Sequence, residues 1–357
     1  MTPLAALLTR RIAATGPMTL ADYMAECLLH PDHGYYTTRP PFGAEGDFTT
    51  APEISQMFGE LLGLCLAQAW LDQGRPGAFT LAELGPGRGV LMADVLRATA
   101  RVPGFHAAAR VVLVEASPAL RDRQRAAVAP HAVDWADSAD ALPEAPLFLL
   151  ANEFFDALPI RQFARAGAGW AETMVGLNAD GRLALGRATP LPVAALAGRL
   201  ADTAPGDVVE LCPAAPGVMA AVAGRVARHG GVALAVDYGG WRSRGDTFQA
   251  LRRHGFADPL AEPGQADLTA HVDFEPLARA AEDAGARALP LVTQGVLLER
   301  LGIAARASAL AGRLAGDALA AHLAAHRRLT HPEEMGTLFK ALAVIPHGAP
   351  LPAGFAP

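Results

Sequence analysis

The residues with the clearest chemical promise lie at the ends of short apolar runs. Phe79–Leu84 carries Glu83 and passes directly into Gly85-Pro86-Gly87-Arg88-Gly89, with a helix pattern, Val90–Ala98, behind it. Glycines at alternate positions let a chain turn sharply and bring its backbone close to a ligand without Cβ interference. The GxGxG spacing differs from the GxGxxG fingerprint that seats a pyrophosphate on a helix N-terminus, which favours a ligand without phosphate. A second run, Arg110–Val114, ends in Glu115, where a doubly wound fold holds ribose hydroxyls. Together they describe a nucleoside with a charged tail. S-adenosylmethionine (SAM) fits: Glu83 organises the loop or meets the ammonium, the amides around Gly85, Gly87 and Gly89 face the carboxylate, and Glu115 accepts from both ribose hydroxyls. A nicotinamide or flavin dinucleotide is the alternative ligand. The bland alternative is a tight turn beside a surface acid.

The elements needed to position these groups are legible. From Phe79 onward, short apolar runs alternate with helix-length segments: Phe79–Leu84, Val111–Glu115, Leu147–Ala151, Val208–Leu211 and Val232–Val236, then Leu289–Val292 and Thr337–Val344. This rhythm predicts a Rossmann-like α/β fold, a parallel sheet with crossover helices, over residues 78–357. Residues 1–77 read as an N-terminal helical annex, with helices over Leu4–Ala14 and Ser55–Leu71 and a loop from His30 to Pro52. Near 161–205 an antiparallel insertion is expected, because Glu172–Leu177 and Arg182–Leu185 flank the hairpin signal Asn178-Ala179-Asp180-Gly181. The Ala-rich stretch Gly302–Arg328 is a helix candidate.

With 357 residues, 51% hydrophobic and 18% charged, the chain can bury a large core. A net charge of −6 gives no basic field for a phosphate backbone, so nucleic acid is not an expected partner. No apolar run is long enough for membrane insertion. Three scattered cysteines, Cys27, Cys65 and Cys212, suggest a reducing compartment, and Lys340 as the single lysine beside many arginines suggests a GC-rich bacterial source. A bacterial cytoplasmic protein is therefore expected; monomer and homodimer both stay open. Arg10 and Arg11 with no early acid superficially suggest a transit peptide, but Leu4, Leu7, Leu8 and Ile12 have the spacing of the domain's own first helix.

An ordered set of motifs spans nearly the whole chain. It comprises Gly46-Asp47-Phe48-Thr49-Thr50-Ala51-Pro52-Glu53-Ile54-Ser55-Gln56, Glu83 through Gly89, Val114-Glu115-Ala116-Ser117-Pro118-Ala119-Leu120-Arg121, Ala151-Asn152-Glu153-Phe154-Phe155-Asp156-Ala157-Leu158-Pro159, Asp237-Tyr238-Gly239, Arg244-Gly245-Asp246-Thr247-Phe248-Gln249 and Thr269-Ala270-His271-Val272-Asp273-Phe274. This set resembles the MidA-like class I SAM-dependent methyltransferases. The resemblance implies a relative of the mitochondrial assembly factor that methylates an arginine of a respiratory complex I subunit, and hence a protein substrate. It also places the loop around Asp47 and Thr50 as a lid near the methionine tail.

Asn152 and Glu153 follow a strand end, where open α/β sheets bind ligands. A guanidinium is a poor nucleophile because its lone pairs are delocalised and it stays protonated. Carboxylates can hold its fork and draw charge from the attacking nitrogen, so Glu153 and Asp156 form a candidate clamp with Asn152 beside it. A capped turn before Pro159 is the plain alternative. Asp134 and Trp135, with Asp137, are candidate adenine contacts, or else a surface acid beside a half-buried indole. Tyr238 is a candidate wall of the acceptor pocket. His271 with Asp273 is either a general base pair or a loop residue that binds backbone. His30 and His33 lack a third ligand, so no metal is expected, and His322 and His326 read as a solvent face. An assembly factor that binds SAM without essential catalysis, and a small-molecule methyltransferase, are the other readings.

Overall fold

In the computed structural model, which describes residues 2–38, 49–253 and 255–356, Phe79–Leu84 is a strand buried along its whole length. It pairs in parallel with Ala109–Val114 on one side and Leu147–Asn152 on the other. Asp134–Ala136 extends the sheet beyond the first neighbour, and Gly231–Gly240 beyond the second, both in parallel. Gly231–Gly240 then pairs antiparallel with Phe339–Ile345, whose far edge takes Arg287–Ala288 and Val292–Thr293. Buried apolar side chains such as Leu81, Phe148, Leu150 and Leu234 explain the near-continuous apolar strands. Their register aligns the carboxyl ends: Leu84 lies opposite Val114 and Ala151, and Asn152 opposite Val236. Gly85, Glu115 and Glu153 therefore emerge at one edge, each pinned by a backbone bond to the neighbouring strand (Gly85 N to Val114 O, Glu115 N to Ala136 O, Glu153 N to Val236 O).

The chain divides into two compact units, one of 1–48, 156–215 and 242–273, the other of 49–155, 216–241 and 274–357. This differs from the expected division at 77/78. The helix Gln56–Asp72, read from sequence as annex, belongs with the sheet because it is apolar on nearly every face and packs against Val90–Thr99. Gly59 and Gly63 permit that approach: a Cβ on them would lie 2.6 Å from Asp94 Cβ and 2.9 Å from Val95 Cα. Between them Glu60 is buried and paired with Arg97 and, bidentately, with Arg306 at 2.7 and 2.9 Å.

The first unit is antiparallel. Leu4, Leu8, Ile12, Tyr23 and Met24 form its core with Ile160, Val175 and Leu268. The expected hairpin is present, Gly169–Leu177 paired with Leu183–Arg187, and Asn178 Oδ1 accepts from the amides of Asp180 and Arg182. Val208–Leu211, expected in the parallel sheet, instead pairs antiparallel with Arg161–Ala166. A helix that the sequence reading passed over, Leu20–Leu29, starts at Thr19, whose hydroxyl accepts from the Asp22 amide. The candidate helix Gly302–Arg328 is two helices, Ile303–Ala311 and Gly316–Thr330. His322 and His326 are half-buried rather than a solvent face: His322 Nε2 lies 3.0 Å from the Ala307 carbonyl, which ties the two helices together. Among the described residues, no helix is long and apolar enough to cross a membrane.

Candidate functional site

The glycine loop closes as a turn, with Gly89 N donating to Pro86 O at 2.7 Å and Gly89 starting the helix Val90–Thr99. Gly85, Gly87 and Gly89 all have left-handed backbone, with φ of 61°, 52° and 83°. At Gly85 a Cβ would also lie 2.8 Å from the Phe154 ring. Glycine is thus demanded by both torsion and space. Glu83, just before the turn, is buried, and its Oε2 has no hydrogen-bond partner among the described residues. Burial raises its pKa to about 8, against the opposing pull of the Met92 backbone amide. A buried carboxyl oxygen without a donor is costly in water-free surroundings and suits a ligand ammonium.

Glu115 is half-buried at the end of Ala109–Val114. Its Oε1 accepts from Ser117 N at 2.8 Å and its Oε2 from Gln124 Nε2 at 3.1 Å. Burial raises its pKa, with these two donors and Arg121 opposing the shift. Two carboxylate oxygens offer about four acceptor positions, so capacity remains for two ribose hydroxyls. Arg121 donates to the Glu115 carbonyl and to the Asp137 carboxylate, joining the ends of adjacent strands. The three adenine candidates sit at different points of their strand. Asp134 begins its strand, lies opposite Val112, is more than half exposed and pairs with Arg110 at 2.7 Å. Trp135 directs its indole N–H to Gln124 Oε1 at 2.8 Å. Asp137 follows the strand end, is largely exposed and pairs with Arg121.

On the neighbouring strand end, Glu153 has φ 49°, uncommon for a residue with a side chain. Its Oε1 accepts from the Ala51 amide at 3.0 Å and from Asn152 Nδ2 at 3.1 Å. Asn152 is buried and its Oδ1 has no partner among the described residues. Asp237, fully buried, accepts from Phe155 N and Tyr238 N at 3.0 Å each and so anchors the turn. Tyr238 is buried edge-on to Phe339, with ring centroids 5.3 Å apart. The Ala51–Ile54 helix ties the regions together: Ala51 meets Glu153, and Glu53 accepts from Arg88 Nε of the glycine loop at 2.8 Å. Thr50 caps that helix by position, with no side-chain capping bond, and is half-buried. Asp47 lies outside the described residues.

Asp156 and His271 belong to the other unit. Asp156 is buried, its carbonyl accepts from Ala270 N at 3.0 Å, and its charge adds to burial and Asp267 in raising the Tyr36 hydroxyl's pKa. The His271 amide donates to Thr247 Oγ1 at 2.8 Å, within a network through Glu210 and Gln162. Asp273, the suggested partner of His271, lies 3.5 Å from Arg199. The two acids of the expected clamp thus fall in different units. Sequence reasoning missed Gln124, Asp237 as a turn anchor, and the Ala51 amide; Asp237 and Ala51 stood within the motifs above without that role, and Gln124 stood out only as a neutral side chain within an arginine-rich helix.

A family model for S-adenosyl-L-methionine-dependent methyltransferases matches residues 61–292. Protein arginine methyltransferase NDUFAF7, mitochondrial, from Xenopus laevis is 35% identical over 94% of this chain and 83% of its own length. The Homo sapiens protein of that name is 34% identical, over 97% and 84%. A crystal structure of a Burkholderia thailandensis protein bound to S-adenosyl-homocysteine superposes with a TM-score of 0.85 at 32% identity, covering 98% of this chain and 93% of that one. The chain belongs to the MidA-like family of SAM-dependent methyltransferases.

Proposed function

We propose that this methyltransferase modifies an arginine side chain of a protein and does so in a bacterial cytoplasm. The arginine-rich, lysine-poor composition and the three free cysteines favour that setting. The relatives named as protein arginine methyltransferases support the acceptor class. The observation that carries the reading is Glu153: a carboxylate held in left-handed backbone at a strand end, oriented by the Ala51 amide and by Asn152. Strained non-glycine backbone of this kind persists where surrounding contacts enforce it and concentrates at functional sites.

Glu115 would hold the ribose, the glycine loop and Glu83 the amino-acid tail, with Thr50 on the lid side of that tail. When bound, SAM supplies a methyl group on a positively charged sulfur. Glu153 then has two tasks at the acceptor. It offsets the charge of an incoming guanidinium, and it fixes the fork so that one nitrogen points at the methyl carbon. That nitrogen gains the methyl as the carbon–sulfur bond breaks and leaves S-adenosylhomocysteine, and it loses one proton to solvent in turnover; Tyr238 is a further candidate for the acceptor side. Incubation of the enzyme with methyl-tritiated SAM and a protein extract of its host tests the acceptor. Acid hydrolysis should yield labelled methylarginine. Label confined to other amino acids or to small molecules would refute the reading.

A further inference from the structure

The helix Pro118–Val128 carries three arginines, yet Gln124 within it is wholly buried. Its amide makes three bonds. Nε2 donates to the Gly87 carbonyl at 2.8 Å and to Glu115 Oε2 at 3.1 Å, while Oε1 accepts from Trp135 Nε1 at 2.8 Å. An indole N–H can only donate, so Trp135 settles which end of the amide is oxygen and turns both amide hydrogens toward the loop and the acid. The Arg125 guanidinium lies 4.7 Å above the Trp135 ring and keeps it in place. A Cβ on Gly89 would lie 3.2 Å from Gln124 Cα, so the third loop glycine also admits this helix.

We propose that Gln124, oriented by Trp135, is a positioning residue of the donor site, fixing the Glu115 carboxylate and the glycine loop in one geometry for the adenosyl ligand. Two parts of the donor site far apart in sequence are thereby joined through one amide, which makes loop shape and ribose recognition interdependent. The inference rests on Glu115 accepting from the ribose, and the test separates the two.

Calorimetry with S-adenosylhomocysteine and with its 2′,3′-dideoxyribose analogue provides the readout, with thermal unfolding to confirm folding. Gln124→Met should weaken S-adenosylhomocysteine about tenfold, the order expected for a hydrogen bond to a charged group, and the dideoxy analogue less than about threefold. Trp135→Phe should give the same selective pattern with a smaller loss. Should Gln124→Met fail to fold, Gln124→Glu keeps the length and the Trp135 bond while removing both donors, and should show the selective loss more strongly. Equal losses for both ligands, or no loss, would overturn the role of Gln124. Glu115→Gln is the independent arm: if it spares S-adenosylhomocysteine, the ribose reading itself fails, whereas a ribose-selective loss there with none at Gln124 refutes only the present inference.

Discussion

The glycine loop and the Asn152–Phe155 turn leave adjacent strands at the same sheet edge, but they are held by different means. The loop takes its shape from its own backbone: three left-handed glycines, a bond from Gly89 to Pro86 and a helix beginning immediately behind. The turn takes its shape from side chains and amides distant in sequence, Asp237 and Ala51, and its left-handed residue is Glu153 rather than glycine. Left-handed backbone at a non-glycine residue costs on the order of 1–3 kcal/mol. A glycine would relieve that strain but supply no carboxylate. The comparison assigns ligand approach to the first region and a retained side-chain function to the second.

Four changes would break or sharpen this contrast. The largest effect is expected for Gly87→Val, which forces a β-branched residue into left-handed backbone; S-adenosylhomocysteine affinity measured by calorimetry should fall roughly a hundredfold or more. Asp237→Ala should act on the other region. Leaving the amides of Phe155 and Tyr238 without their acceptor should cost ~2–4 kcal/mol of stability by chemical denaturation, with methyl transfer lost more than S-adenosylhomocysteine binding.

Glu83 supplies a pH test. Its pKa is raised in the folded state from 4.5 to about 8, so the folded protein binds more protons there than the unfolded chain between those values. The stabilisation is complete below the unfolded value and fades as pH rises through about 8. The ligand-free protein should therefore lose thermal stability from pH 5 to pH 8, and Glu83→Gln should flatten that dependence; an unchanged slope would remove Glu83 as its source. The smallest effect belongs to Arg88→Ala. Its partly exposed pair with Glu53 should contribute no more than ~1 kcal/mol, and ligand affinity should change less than about threefold.

What the sequence made legible follows the same contrast. Phe79–Leu84, the glycine turn, Glu115 and the Asn178–Gly181 hairpin could be read because each is specified by neighbouring residues: apolar runs, positive φ and Asx chemistry. Gln56–Asp72 was assigned to the wrong unit because a helix apolar on nearly every face names no partner, and Gly59 and Gly63 reveal their purpose only against Asp94 and Val95. Val208–Leu211 reads as a buried strand in either setting, and periodicity does not choose between a parallel and an antiparallel neighbour. The orientation of Trp135 was not legible for a related reason. Its place near the third strand was legible, but the direction of its N–H depends on Gln124, across a helix packed there by Gly89.

The central claim is that one region binds the donor while the other prepares the acceptor, with Glu153 as the group that distinguishes them. The most direct test measures S-adenosylhomocysteine affinity and methylarginine formation side by side for the unaltered enzyme and Glu153→Gln, which preserves size and the ability to accept from the Ala51 amide. Affinity within about twofold and methyl transfer reduced on the order of a hundredfold is the predicted result. Full methylarginine formation by Glu153→Gln, with donor affinity unchanged, would contradict it.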